Sequence, residues 1–424
     1  MPRKVWLLVA GMIINVTGAS FLWPFNTIYL HDHLGKSLSV AGMVLMINSL
    51  TGVIGNLLGG VLFDKWGGYK STLVGIVITL VSILGLVFFH GWPLYVVWLA
   101  LIGFGSGMVF PSMYAMVGTV WPEGGRRAFN AMYVGQNVGI AIGTACGGLV
   151  ASYRFDYIFL ANFILYFVFF LIAFIGFRGM EDKKEPGVQK EVETKKGWSL
   201  TPGFKALLIV CVAYALCWVT YVQWQGAIAT HMQELNISLR HYSLLWTING
   251  AMIVCAQPLV SMLIRWMKRS LKQQIMIGIF IFAASFIVLS QAQQFTMFLV
   301  AMVTLTIGEL FVWPAVPTIA NILAPKDKLG FYQGVVNSAA TVGKMFGPVV
   351  GGAIVDLYNM EVLFIAIMVM LVVALIATSI YDKRVKVEET VEEKLQFSLT
   401  EHVTCFRIYL NKTTFRTREI ARLS

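Results

Sequence analysis

About twenty apolar residues, a short polar turn, then another such run: this pattern recurs along the whole chain and limits what it can fold into. A helix needs about 20 predominantly apolar residues to cross the hydrocarbon core of a bilayer. Within that core each backbone N–H and C=O must find its partner inside the protein. Runs of sufficient length lie near 5–30, 38–62, 71–90, 94–118, 131–151 and 157–177. A second set lies near 205–228, 240–264, 273–291, 295–319, 331–355 and 361–381. The expectation is an all-α membrane protein with twelve transmembrane helices. Only 12% of the 424 residues are charged, against about a quarter in a soluble domain, so a normal aqueous surface is excluded.

The first run is too long, and wrongly continued, for a cleaved signal peptide. The five cysteines show no paired spacing, and Cys146, Cys211, Cys217 and Cys255 fall inside runs. They read as small packing residues rather than a disulfide or metal framework. A net charge of +11 invites a nucleic-acid reading, but its distribution is topological. With the N-terminus inside, Arg3, Lys4, Lys65, Lys70, Arg126, Arg127, Arg265, Lys268, Arg269, Lys272, Lys326 and Lys328 all fall on the cytoplasmic side. The outer loops keep Lys36, Arg154 and Arg240. This asymmetry follows the positive-inside rule and puts both termini in the cytoplasm.

One long polar break, rich in Lys and Glu, separates the sixth run from the seventh. The expected organisation is an N-terminal six-helix bundle (1–177), a cytoplasmic linker (178–204), a C-terminal six-helix bundle (205–381) and a cytoplasmic tail (382–424). The halves repeat at an offset near 203: Phe110 and Pro111 answer Trp313 and Pro314, and Pro122 answers Pro325. Asn130, Gly139, Gly143, Gly147 and Gly148 answer Gly334, Gly343, Gly347, Gly351 and Gly352. Duplicated bundles that rock about a midplane site are a transporter architecture.

The loop after the second run carries Gly60, Asp64, Lys65, Gly67 and Lys70. Small Gly59 and Gly60 permit close helix approach, Gly67 suits a turn with positive φ, and Asp64 at a helix end can accept hydrogen bonds or pair with a cation. This spacing resembles the loop motif of the major facilitator superfamily, where it stabilises one gating state. Gly334, Gly343, Gly347, Pro348, Gly351 and Gly352 resemble the glycine-rich motif of that superfamily's antiporters. The fifth-run copy (Gly139, Gly143, Gly147, Gly148) has Asn130 and Thr144 at two of the motif's positions.

Glu309 is the acid that falls deep in an apolar run. A charge there costs at least about 2.5 kcal/mol on insertion scales, so it implies a pathway or a partner. Withdrawing a carboxyl from water favours its neutral acid, a property that reversible proton carriage requires. The stretch from Gly308 to Gly334 resembles Gram-positive multidrug/proton antiporters, in which such a glutamate takes part in proton coupling. Lys344, the base inside the eleventh run, is a possible charge partner: it pairs with Glu309, binds an anionic group, or snorkels outward. The fourth run has Gly103, Gly105, Ser106 and Gly107 where many proton-coupled relatives place an arginine. The fifth has Met132 and Tyr133 where some place an acid.

Trp23, Asn26, Tyr114, Trp218, Tyr221, Trp246, Asn249 and Trp313 are the candidate substrate-binding residues. Apolar walls with a few polar anchors suit lipophilic ligands, and aromatic faces attract cations. His31, His33, His90, His231 and His241 fall at the outer face and act as an acidity sensor or as unconnected surface residues. The resemblance implies the major facilitator fold and proton-coupled export of lipophilic, cationic drug-like compounds by alternating access. The expected partners are a small-molecule substrate, protons and the lipid bilayer, with no nucleic acid, and the chain is read as a monomer in a bacterial cytoplasmic membrane. No nucleophile–base or metal-ligand spacing marks an enzyme, and neither a cofactor nor an ATP-binding loop is expected. The rival readings are a major facilitator carrier of a sugar, peptide, lipid or metabolite, and a non-transporting sensor on the same fold.

Overall fold

Polar residues punctuate the helices where the apolar runs stop. Ser37, Thr201 and Asn359 each accept a hydrogen bond from a backbone N–H one turn into the following helix. Ser270 and Gln273 form a reciprocal capping box. Each device satisfies donors that a helix start otherwise leaves orphaned. Gly67, at φ +87°, turns the chain between the second and third helices, a conformation costly for any residue with a Cβ.

The computed structural model describes residues 1–22, 26–153, 157–180, 201–266 and 270–382. Most of the expected linker, most of the expected tail and Trp23 lie outside them. Among the described residues, twelve long helices follow the twelve apolar runs. The first six are α1 (Arg3–Leu22), α2 (Leu38–Trp66), α3 (Gly68–Phe88), α4 (Leu94–Val120), α5 (Arg126–Tyr153) and α6 (Tyr157–Gly176). The second six are α7 (Pro202–Tyr221), α8 (Leu239–Trp266), α9 (Leu271–Ser290), α10 (Phe295–Val312), α11 (Leu329–Leu357) and α12 (Met360–Ile380). Ten are long and apolar enough to span a membrane by composition alone. The other two, α5 and α8, reach 28 residues each but carry polar side chains such as Gln136, Asn137, Asn249 and Gln257, because each packs against the other half.

Two runs expected as single helices are broken. After α7 the chain tightens at Val222–Gln225 and resumes as Ala227–Glu234. After α10 it steps at Trp313 and Pro314 and resumes as Ala315–Leu323. Pro314 has no N–H to return to the preceding turn, and its ring crowds that turn's carbonyl. At the step, the Gln274 amide donates to Phe311 O at 2.7 Å.

The packing repeats between halves. In the first bundle α1 lies on α5 and α6, α2 on α4, and α3 on α4 and α6; in the second α7 lies on α11 and α12, α8 on α10, and α9 on α10 and α12. Each bundle has its own buried apolar core. Large apolar side chains such as Ile175, Leu259 and Ile365 are left more than half exposed on the outside, the surface a bilayer covers. The halves meet through α2 against α11 and α5 against α8.

Candidate functional site

Glu309, on α10, is 3% exposed and sits where the bundles meet. Tyr133 on α5 donates to Glu309 Oε1 at 2.7 Å. Asn249 on α8 donates to Oε2 at 2.9 Å and also reaches Thr306 Oγ1 at 2.9 Å. Tyr221 Oη on α7 lies 3.3 Å from both carboxylate oxygens. Donors from three other helices thus converge on one carboxylate, and one crosses from the opposite bundle. A buried charge of this kind is tolerated when its lone pairs are met.

An aromatic cluster flanks it. Trp218 and Trp313 stack at 4.4 Å between ring centroids and 4° between planes. Tyr214 and Tyr221 meet Trp313 edge-on, and Tyr221 also meets Trp246. Five candidate binding residues, Trp218, Tyr221, Trp246, Asn249 and Trp313, are therefore brought together around Glu309. Asn26 is not among them: it is buried in the first bundle, where it accepts a hydrogen bond from Tyr95. Tyr114 stacks on Phe129 and donates to Gln136 within the first bundle, and it also interacts across the bundles with Tyr214 of the aromatic cluster.

Lys344 does not pair with Glu309: no ion pair between them occurs among the described residues. Its ammonium lies 3.9 Å from the Trp218 ring centroid. In the sequence Tyr133 stands out only as a position where some relatives place an acid. A signal was available, since Tyr133, Gln136 and Asn137 form a polar i, i+3, i+4 stripe on an otherwise apolar helix, and such a stripe marks a face turned to other protein.

A second constellation closes the end of the molecule that holds the first residues of α1 and the last of α12. Asp64, at the end of α2, accepts hydrogen bonds from the backbone N–H groups of Gly330 (2.7 Å) and Phe331 (2.9 Å), at the start of α11. A carboxylate at a helix N-terminus meets unpaired donors and the positive end of the macrodipole. A Cβ at Gly60 would collide with the Gly330 carbonyl, and one at Gly334 with the Asn56 carbonyl. Further along the same seam Asn56 donates to Thr341, at 3.2 Å, and Ser338 to Val53 O, at 3.4 Å. Arg126 of α5 bonds Gln274 of α9 across the same end. Lys65 and Lys70 are exposed.

The glycine motif divides its labour. Gly343, Gly347 and Gly351 face α7 and the tight segment after it, where a Cβ would meet Ala215, Val222 and Gln223 respectively, whereas Gly352 has open space. Pro348 lies inside α11 and is exposed. In α5, Gly139 and Gly143 press on α1 in the same way. Gly147 and Gly148 lie on the same helix.

The outer histidines do not form one cluster. His33 stacks on Tyr29 and His90 on Phe159, while His31 bonds Lys36 O, all in the first half. His231 meets Glu234 and His241 meets Ser238 in the second half.

Comparison with known proteins agrees with this architecture. The family profile described as Major Facilitator Superfamily matches residues 8–320 and, overlapping, 225–418. The chain is 57% identical over 386 residues to the uncharacterised MFS-type transporter YttB of Bacillus subtilis, covering 91% of this chain and 97% of that one. It is 25% identical to a Na(+), Li(+), K(+)/H(+) antiporter of Planococcus maritimus (82% and 88% covered) and 23% identical to the quinolone resistance protein NorA of Staphylococcus aureus (92% and 99% covered). Among solved structures, the human organic anion transporter MFSD10 superposes with a TM-score of 0.70 at 12% identity, covering 89% of this chain and all of that one, a likeness of fold. With its paired six-helix bundles and its matching family profile, the chain is a multi-pass membrane transporter of the major facilitator superfamily.

Proposed function

We propose that this protein is a proton-coupled secondary transporter that exports lipophilic, aromatic drug-like compounds by alternating access, with Glu309 as the proton site. One observation carries the reading. The carboxyl buried deep in the chain is gripped by donors of both bundles, Tyr133 from the first and Tyr221 and Asn249 from the second. Protonating Glu309 removes an acceptor from that set, so proton binding changes what holds the bundles together. A ligand moves a conformational equilibrium only through such a difference between states. The names of distant relatives, an alkali-cation/proton antiporter and a quinolone resistance protein, support the coupling and the direction.

In this reading residues 1–177 and 205–381 rock against each other, with 178–204 as linker and 382–424 as tail. Both termini are cytoplasmic in a bacterial plasma membrane, and the working unit is a monomer. The Asp64–Gly330 latch then lies on the cytoplasmic side, and the structure is an outward-facing state with its inner gate shut. Trp218, Tyr221, Trp246 and Trp313 supply the apolar wall for cargo, with Tyr114 facing them from the first bundle, and Asn26 is left to packing within the first bundle.

The test uses proteoliposomes with an imposed pH gradient and a panel of lipophilic aromatic compounds, sugars and peptides. Substrate-induced proton flux is expected with the lipophilic compounds and lost in Glu309→Gln. Flux that survives the substitution would reduce Glu309 to a structural role. Absence of flux with every compound would overturn the proton-coupled reading.

A further inference from the structure

The charge beside the aromatic cluster that has no bonded partner is positive. Glu309 is sealed by its own protein donors. Lys344 is exposed and has neither a hydrogen bond nor an ion pair to any described residue. Its direction is fixed by α11. Gly343 and Gly347 face α7, Gly334 faces α2, and the strongly exposed Phe346 and Val349 mark the lipid side. Helical spacing of 100° per residue puts Lys344 between the α7 and α2 faces, on the stripe of Gln333 and Asn337, opposite to Phe346 and Val349. Lys344 therefore points into the space between the bundles.

The stacked indoles leave little room for the alternative. A cationic ligand would need a free indole face. One face of Trp218 is covered by Trp313 at 4.4 Å, and Lys344, 3.9 Å from the same centroid, can only cover the other. Trp313 has Trp218 on one face and is ringed by Tyr214, Tyr221 and Phe282. Both faces of Trp218 and one face of Trp313 are thus occupied by the protein itself, one of them by the protein's own cation. Glu309 acts on this ammonium through space only, and with no carboxylate in contact an ammonium in a membrane interior calls for a counter-charge at its own position.

We propose that Lys344 is the anchor for an anionic group, a carboxylate in the simplest case, on an aromatic or lipophilic substrate, so that the cargo is an organic acid or zwitterion and not a simple lipophilic cation. The Trp218–Trp313 stack acts as the platform that holds the ammonium in place. This rests on the proposed transport path running between the bundles, and it names the charge of the cargo.

Equilibrium dialysis of the full-length protein in nanodiscs, corrected for empty nanodiscs, tests it with three probes of one ring system: 2-naphthoate, 2-naphthamide and 2-naphthylmethylammonium. No gradient is involved, so the result is independent of proton coupling. The expectation is that naphthoate binds at least about tenfold more tightly than either other probe, that Lys344→Gln brings it down to the level of the amide, and that Lys344→Arg keeps the preference. Equal or tighter binding of the ammonium probe to the wild-type protein overturns the proposal. So does a carboxylate preference that survives Lys344→Gln, or failure of all three probes to bind. The wild-type comparison stands even if a variant fails to fold.

Discussion

Tyr133 and Glu309 illustrate how one hydrogen bond joins two halves of a protein. The phenol donates across the bundle interface at 2.7 Å into a site with almost no solvent. Tyr133→Phe removes the donor and leaves a buried carboxylate under-satisfied, a cost of about 1–3 kcal/mol. A lower thermal midpoint of the purified protein is expected, together with weakened substrate-driven proton flux. Unchanged flux would show that the bond is structural only. Asn249→Ala strips a donor from Glu309 and from Thr306 at once, so its effect is expected to exceed that of Tyr133→Phe in the same two assays. Glu309 could be singled out in the sequence because an acid inside an apolar run is conspicuous. Its donors Tyr221 and Asn249 stand among the candidate binding residues, but their pairing with Glu309 is not legible, since a Tyr or Asn in such a run serves equally well as packing and only the crossing of helices decides which of them meet.

At the scale of helices, the glycine motif of α11 separates into positions that touch and positions that do not. Gly343 abuts the Ala215 carbonyl and the Trp218 Cβ, whereas Gly352 has no neighbour within 4 Å of a built Cβ. Gly343→Val is expected to force α7 and α11 apart at a cost of about 1–3 kcal/mol, lowering thermal stability. Gly352→Ala is expected to leave stability unchanged or raise it, since Ala is the better helix former. Similar losses from both would refute the division. The same contrast shows what spacing alone can say. The motif was legible as a run of small residues, but which glycine faced which helix depended on the rotation of α11 about its axis. Spans α5 and α8 were found despite their polarity. The breaks after Tyr221 and Val312 were missed as interruptions, although Pro314 was visible, because a proline in a membrane helix produces a kink or a full step according to what its neighbours can bond.

For the whole molecule, the arrangement is a duplicated bundle caught with one end closed. The Asp64 latch contributes two charge-assisted hydrogen bonds to the start of α11, each of the kind worth about 1.5–3 kcal/mol. Asp64→Ala is expected to shift the population away from this state by at least about tenfold, the ratio that 1.4 kcal/mol produces. Spin labels at Lys65 and Lys328, in a protein otherwise unchanged, should report longer distances at that end. An unaltered distance distribution would mean that the glycine seam between α2 and α11 holds the gate without the latch.

The sequence by itself determined that the chain spans a membrane, how many helices it uses, and that it is built twice over. Hydrophobic length and an internal repeat are one-dimensional properties, and bilayer physics converts them directly into a count of spans and a duplicated bundle. It also marked Glu309 and Asp64, because a charge in an apolar run or at a helix end carries its own explanation. Only the tertiary structure decided the partners: that Glu309 is held from both bundles, that Lys344 rests on Trp218 instead of neutralising Glu309, and that Asp64 bonds a helix start 266 residues away. These contacts depend on helix rotation and crossing. Both are set by the packing of small residues against distant neighbours, which no local stretch of sequence contains.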